Sequence, residues 1–232
     1  MSSFHLVDGY IDILSEVGRW KIIPMRGLYK LKDFGIKYPT FCRKIKKLES
    51  EGLVRSILGN NKRKFITLTN KGSEICPYGI SFDDVEDSLN HDLTATNIVT
   101  KLIEYKNFKT GQVQCFGRGL DVEPDGLIFG QKNGKEYSLA IEVELHQKSK
   151  SRLTDKLIKY TNSIYYSYVI YVINKETTYR AYKMVLENMT DDVRRKVILL
   201  LDIGLSPTRF NFKEAQCLFQ NKDVSFEDIF GE

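Results

Sequence analysis

The segment Leu139-Ala140-Ile141-Glu142-Val143-Glu144-Leu145 constrains this chain more than any other. Its apolar run reads as a buried β-strand, and such a strand tolerates two carboxylates only where something compensates their charge. Period two places Glu142 and Glu144 on one face. Upstream, Pro124-Asp125-Gly126 opens a second apolar run, Leu127-Ile128-Phe129. Between the two runs lies Gln131-Lys132-Asn133-Gly134-Lys135, in which Asn-Gly is a hairpin signal. Pairing across that hairpin brings Asp125 alongside the glutamates. Three hard oxygen donors on adjacent strands suit Mg²⁺ or Mn²⁺, which favour carboxylates and water over thiols. The competing reading is the solvent-facing polar side of an edge strand, which needs no metal.

The surrounding pattern predicts an α-β-β-β-α-β-α-β order. A helix runs through Leu89-Asn90-His91-Asp92-Leu93 toward Ile98, Leu102 and Tyr105, and strands follow at 112–116, 125–129 and 137–145. A helix over 151–166, the apolar strand 168–173, another helix and a strand at 197–201 complete a mixed sheet whose later strands are parallel. The remainder, from Lys175 on, otherwise contributes peripheral elements without a recognisable motif. Phe226, Ile229 and Phe230 near its end dock either on the core or on a partner.

The 232-residue chain has a net charge of +5, but residues 1–80 hold 15 Lys and Arg against 7 Asp and Glu, so the positive potential belongs to the first third. That asymmetry favours a polyanionic partner there, nucleic acid foremost. Helices are expected over 7–17 and 25–31. Next, Phe41, Ile45 and Leu48 lie on one face of a helix with Arg43, Lys44, Lys46 and Lys47 around the rest. Gly52 closes it. Strands 54–58 and 64–68 then flank the tip Gly59-Asn60-Asn61-Lys62-Arg63, and Thr69-Asn70-Lys71-Gly72 starts a short helix. An acidic stretch at 81–88 reads as a linker, giving domains at 1–80 and 81–232.

Cys42, Cys76, Cys115 and Cys217 form no CxxC pair and have no His at zinc-finger spacing, so they read as reduced thiols rather than structural zinc ligands. No run reaches the roughly 18 apolar residues of a membrane span, and no signal peptide opens the chain. A cytoplasmic protein without membrane insertion is expected.

The order of helix, helix, basic helix and hairpin, with Leu68-Thr69-Asn70-Lys71-Gly72 after it, resembles winged-helix DNA-binding domains. The resemblance implies DNA contacts from Arg43, Lys44, Lys46 and Lys47 on a recognition helix and from Lys62 and Arg63 on the wing. The alternative is a helical domain whose basic residues solvate its surface. In the second domain, Pro124-Asp125 and Glu142 within this topology resemble the restriction-endonuclease-like, or PD-(D/E)xK, superfamily. The fold class is therefore α+β, a winged helix followed by a restriction-endonuclease-like α/β domain with a mixed central sheet. The chain departs from that motif at Glu144, where lysine is usual, and Lys148 or Lys156 is the candidate for a migrated positive charge. Ordinary helix solvation explains either lysine equally well.

His91-Asp92-Leu93, Pro124-Asp125-Gly126, Glu142-x-Glu144 and a following helix with Lys156 and Tyr160 together resemble the replication-relaxation family and the MobC-type plasmid mobilisation relaxases. This resemblance implies metal-dependent nicking of one DNA strand at a plasmid transfer origin, with accessory or coupling proteins and a homodimer as further partners. It gives Asp125, Glu142 and Glu144 the metal. His91 becomes an acid, base or phosphate contact, against the alternative of a surface residue near a helix start. Tyr160 is either a covalent nucleophile or a core side chain. No His-x-His cluster of the common tyrosine relaxases is present, which favours attack by water. Two other functions compete: a non-catalytic winged-helix regulator or replication accessory protein with a nuclease-like interaction domain, favoured by the missing lysine at 144, and a double-strand endonuclease.

Overall fold

The computed structural model describes residues 9–59, 63–76, 86–113 and 121–231, with the backbone alone at 86–88. Lys62, Cys115, most of the expected linker and the far end of the strand expected at 112–116 lie outside the described residues. The chain forms two compact units, residues 1–89 and 90–232. It is a mixed α and β structure containing one three-stranded and one seven-stranded sheet.

In the first unit, α1 (Tyr10–Trp20), β1 (Ile22–Pro24), α2 (Met25–Leu31) and α3 (Tyr38–Ser50) precede the hairpin β2 (Val54–Leu58) and β3 (Lys64–Leu68), then α4 (Asn70–Ile75). The first helix starts later than expected, after Gly9 at φ 86°. Strand β1, too short to show a period, pairs antiparallel with β3 and makes β3 the central strand. Ile13, Val17 and Trp20 of α1 and Phe41, Ile45 and Leu48 of α3 are buried, which leaves Arg43, Lys46 and Lys47 exposed. The apolar face of α3 is thus turned into the core, as its i, i+4, i+7 spacing requires.

The Leu68-to-Gly72 motif has a physical basis. Thr69 Oγ1 accepts from the Gly72 amide at 3.0 Å, capping α4, and donates to the Gly52 carbonyl at 2.6 Å. A Cβ on Gly72 would stand 1.9 Å from the Leu53 carbonyl oxygen, so no side chain fits there without moving backbone. Gly72→Ala is therefore expected to destabilise the first unit by about 1–3 kcal/mol, the range for overpacking, or more because the obstacle is main chain. Urea unfolding followed by Trp20 fluorescence measures it, and an unchanged midpoint would refute this account of the motif.

The second unit contains α5 (Glu86–Leu102, beginning just before the unit boundary), β4 (Phe108–Gln112), β5 (Gly126–Lys132), β6 (Lys135–Glu144), α6 (Lys150–Asn162), β7 (Tyr168–Ile173), α7 (Glu176–Glu187), α8 (Asp191–Lys196), β8 (Val197–Leu201), β9 (Gln216–Phe219), β10 (Lys222–Val224) and α9 (Phe226–Phe230). The sheet order is β10-β9-β8-β7-β6-β5-β4, with β6, β7 and β8 parallel and the rest antiparallel. Strand β4 lies earlier than the expected 112–116. Gly111 and Gly126 lie close under Val99 of α5, where the clearance suits glycine. Strands β9 and β10 escape the sequence pattern because both are short. Phe226 and Phe230 are buried and their rings pack with Phe108 and Phe212, so the C-terminal segment docks on the core.

β5 and β6 are joined by Asn133 at φ 51° and Gly134 at φ 75°, the left-handed pair that a two-residue hairpin turn needs. The turn sets Gly126 opposite Ile141. One sheet face, with Ala140, Tyr171 and Leu199, packs on α6 and α7 through Leu153, Leu157, Tyr160, Tyr179 and Tyr182. The register pairs Glu142 with Tyr171 of β7, which places the glutamate on that covered face. β6 is a central strand, and Glu142 and Glu144 in it are 0% and 1% exposed, so these two do not form the solvent-facing side of an edge strand.

Candidate functional site

Each acid of the β5–β6 pair has a distinct set of partners. Asp125 stands one residue before β5, its amide donating to the Ile141 carbonyl at 2.9 Å. Its Oδ2 accepts from the Val143 amide at 2.7 Å and lies 3.3 Å from His91 Nε2. Glu142 receives hydrogen bonds from Lys156 Nζ and Tyr160 Oη, both supplied by α6. Glu144 pairs with Lys148 Nζ at 2.5 Å, and the same amine is 3.9 Å from Glu142. Both lysines singled out as stand-ins for the motif lysine therefore reach the acids, Lys156 at Glu142 and Lys148 between the two glutamates.

This arrangement answers the burial problem posed by the sequence: two amines, an imidazole and hydroxyls surround three carboxylates. Burial still dominates at Glu142. With the neighbouring Asp125 charge, it outweighs Lys156 and Tyr160 and pushes the carboxyl up to about 7. Burial raises Glu144 as well, against the opposing charge and hydrogen bond of Lys148 and a hydrogen bond from Tyr182. At Asp125, burial acts upward, but His91, Lys156 and the Val143 amide hold it below its ordinary value.

Burial would lower His91, yet hydrogen bonds and charges from Asp125 and Asp92 carry it up to about 10. Nδ1 is 3.6 Å from Asp92, and Nε2 is also 3.2 Å from the Val143 carbonyl. Acceptors at both ring nitrogens favour the doubly protonated ring. His91 is thus a cation at neutral pH, suited to contact an anion and to fix Asp125 rather than to accept a proton.

Tyr160 is fully buried and donates to Glu142, and burial with that negative charge raises its phenol far above the ordinary value. A nucleophilic phenolate is disfavoured there. Two further members carry no signature in the sequence. Tyr171 is fully buried beside both glutamates, its hydroxyl without a hydrogen-bond partner among the described residues, and Tyr182 Oη accepts from the Lys148 amide at 3.3 Å. Period two in Tyr168–Ile173 gives Tyr171 a defined face, but only the parallel register places it against Glu142.

A divalent cation fits this donor set only in part. Among the described residues, no three His, Cys, Asp or Glu side chains converge as a metal cage. Glu144 is held by Lys148. Asp125 and Glu142 fit a site of one or two carboxylates whose other positions come from water and a phosphate, the usual arrangement for Mg²⁺.

In the first unit, Arg43 bonds Thr40 at 3.1 Å, Lys47 pairs with Glu51 at 2.6 Å and Lys44 Nζ lies 3.9 Å from the Tyr10 ring centroid. Lys46 and Arg63 are exposed. Among the described residues, no helix is long and apolar enough to cross a membrane. Cys42, Cys76 and Cys217 form no disulfide among the described residues, and Cys76 Sγ donates to the Leu14 carbonyl at 3.5 Å.

No family model matches the chain, and no curated protein matches it. Among solved structures, the restriction endonuclease FokI bound to DNA matches at 11% identity and a TM-score of 0.27, covering 79% of this chain and 42% of that one. A second structure of FokI matches at 13% identity and a TM-score of 0.26, covering 81% of this chain and 42% of that one. The chain thus spans less than half the length of these proteins. Similarity at that level assigns neither a fold nor a residue role.

Proposed function

We propose that the chain is a metal-dependent DNA endonuclease, a winged-helix domain joined to a restriction-endonuclease-like domain, that nicks one strand. The observation that carries this is the juxtaposition of half-buried Asp125 and buried Glu142, at two strands joined by a tight hairpin, with Lys156 of α6. Asp125 and Glu142 would hold Mg²⁺ or Mn²⁺, which lowers the pKa of a water and polarises a phosphate. Lys156 supplies the positive charge that the motif normally draws from position 144, and Lys148 holds Glu144 away from the ion. His91, cationic and bound to Asp125, adds positive charge beside a phosphate held there. With the Tyr160 hydroxyl committed to Glu142, attack by water is the preferred chemistry. The motif resemblance to mobilisation relaxases makes a plasmid transfer origin the substrate to try first, with accessory proteins supplied. The test is conversion of supercoiled DNA to the open circle with Mg²⁺ or Mn²⁺. Failure on the native plasmid with metal and accessory proteins would sink the endonuclease reading.

One observation favours a second reading. Lys148, Lys156 and His91 already compensate the three acids, so a non-catalytic regulator could use the same cluster as a structural core. Calorimetry separates the two: binding of Mn²⁺ that is lost in Asp125→Asn supports the enzyme.

Recognition is assigned to the first unit. Arg43, Lys46, Lys47 and Arg63, with Lys44 and Lys62, would contact DNA from the third helix and the wing. Reversing Arg43 and Lys46 to Glu should weaken binding and lower the slope of log affinity against log salt by about one unit for each phosphate no longer neutralised. An unchanged slope in a filter-binding titration would remove DNA recognition from this helix.

A further inference from the structure

Behind Lys148 lies a cavity of about 240 Å³ between the start of α6 and one side of α7. Leu153, Tyr182 and Val185 line it as buried apolar surface, and Ala181 and Met184 close the side. Gln147, Lys148, Lys150 and Asn188 bring polar groups to it. The Asn188 amide nitrogen donates to the Met184 carbonyl at 2.7 Å, leaving its oxygen as an acceptor. Lys148 contributes to both places, lining the cavity while its amine bonds Glu144 and approaches Glu142.

The geometry points to this cavity as a receptor for one nucleobase of the bound strand, turned out of its stack beside the scissile phosphate. The inference rests on the endonuclease reading and adds a subsite to it. An apolar slot with amide groups at its edge matches a base, whose faces are apolar and whose rim carries donors and acceptors. Lys150, at the start of α6 and on the cavity lining, complements a phosphate flanking that base, which distinguishes this occupant from an apolar peptide side chain. A base held here would lie on the far side of Lys148 from the acids, so the same amine would sense both the occupied slot and the acid cluster.

The full chain is mixed in EDTA with a single-stranded oligothymidylate carrying one 2-aminopurine and a terminal dye. Dye anisotropy reports binding, and 2-aminopurine emission reports the environment of the base. Binding to the wild type should change the emission by about twofold or more, as unstacking does. Ala181→Phe, which fills the slot, should abolish that change while keeping affinity within about twofold, because the phosphate contacts persist. Met184→Glu, at a position 65% exposed and therefore tolerant of substitution, should do the same by setting a carboxylate at the cavity. No emission change on wild-type binding, no binding at all, or an equal change in both variants would overturn the proposal. Because no metal is present, failure of the endonuclease reading has a separate signature: the emission pattern holds while Mg²⁺ or Mn²⁺ yields no cleavage.

Discussion

Asp125→Asn and Glu142→Gln are each expected to slow DNA cleavage by about a thousandfold, equivalent to about 4 kcal/mol of transition-state stabilisation. Each change keeps the side-chain shape and removes one anionic oxygen donor. Because Asp125 also accepts from the Val143 amide at 2.7 Å, the amide variant must present its oxygen there, and binding of the DNA should survive. Tyr160→Phe provides the contrast. It removes a donor to Glu142 but no nucleophile, so the rate should fall by no more than about a hundredfold, the value of one hydrogen bond to a charged group. Single-turnover conversion of supercoiled to open-circular DNA reads all three. Full activity in both acid variants would refute the proposed metal site, and a protein–DNA adduct that vanishes in Tyr160→Phe would replace water with tyrosine.

Lys156→Met should have the largest effect on the fold. It strips the buried Glu142 of its closer ion pair, leaving only Lys148 at 3.9 Å, and breaking such a pair from one side costs about 3–5 kcal/mol. The sign with pH follows from the glutamate. Its folded pKa, about 7 in the wild type, lies above its unfolded value, so the folded state holds the proton more tightly and stability falls as pH rises toward and through 7. Without the amine, the folded pKa rises further, and the loss of stability extends to higher pH. In metal-free buffer the variant should therefore unfold much earlier than the wild type at pH about 8 and approach it near pH about 5, where Glu142 is protonated. Adding Glu142→Gln should restore most of the loss at the higher pH. Urea midpoints across that range decide the matter, and a deficit independent of pH would show that Lys156 acts through packing alone.

The acids were legible because their cost is local. A carboxylate within an apolar strand announces a partner, and the period of two together with Asn133-Gly134 fixes which acids share a face. The identity of the partners was only half legible, since Lys148 and Lys156 could equally have pointed to solvent until α6 was laid over β6. Tyr171 was invisible: Tyr-Val-Ile-Tyr-Val-Ile reads as an ordinary buried strand, and its role depends on a parallel register set by the intervening helix. At Glu144 nothing in the sequence told which countercharge it takes, and Lys148, four residues on, is the one it meets. In the first unit, helix α3 and its hairpin were plain from spacing, whereas β1 and the C-terminal β9 and β10 are too short for periodicity to register.

The turn at Asn133 and Gly134 holds no chemistry, yet it sets the count between Asp125 and Glu142. A strand that slips by one residue presents its opposite set of side chains, so inserting a single residue in that turn would bring Ile141 or Val143 to the position now held by Glu142. The sheet could still close, with apolar groups where the acid had been. Length at this distant loop thus bears on the site wherever the extra residue shifts the pairing instead of widening the loop, and the β6–β7 register, which sets Glu142 opposite Tyr171, is what resists that shift.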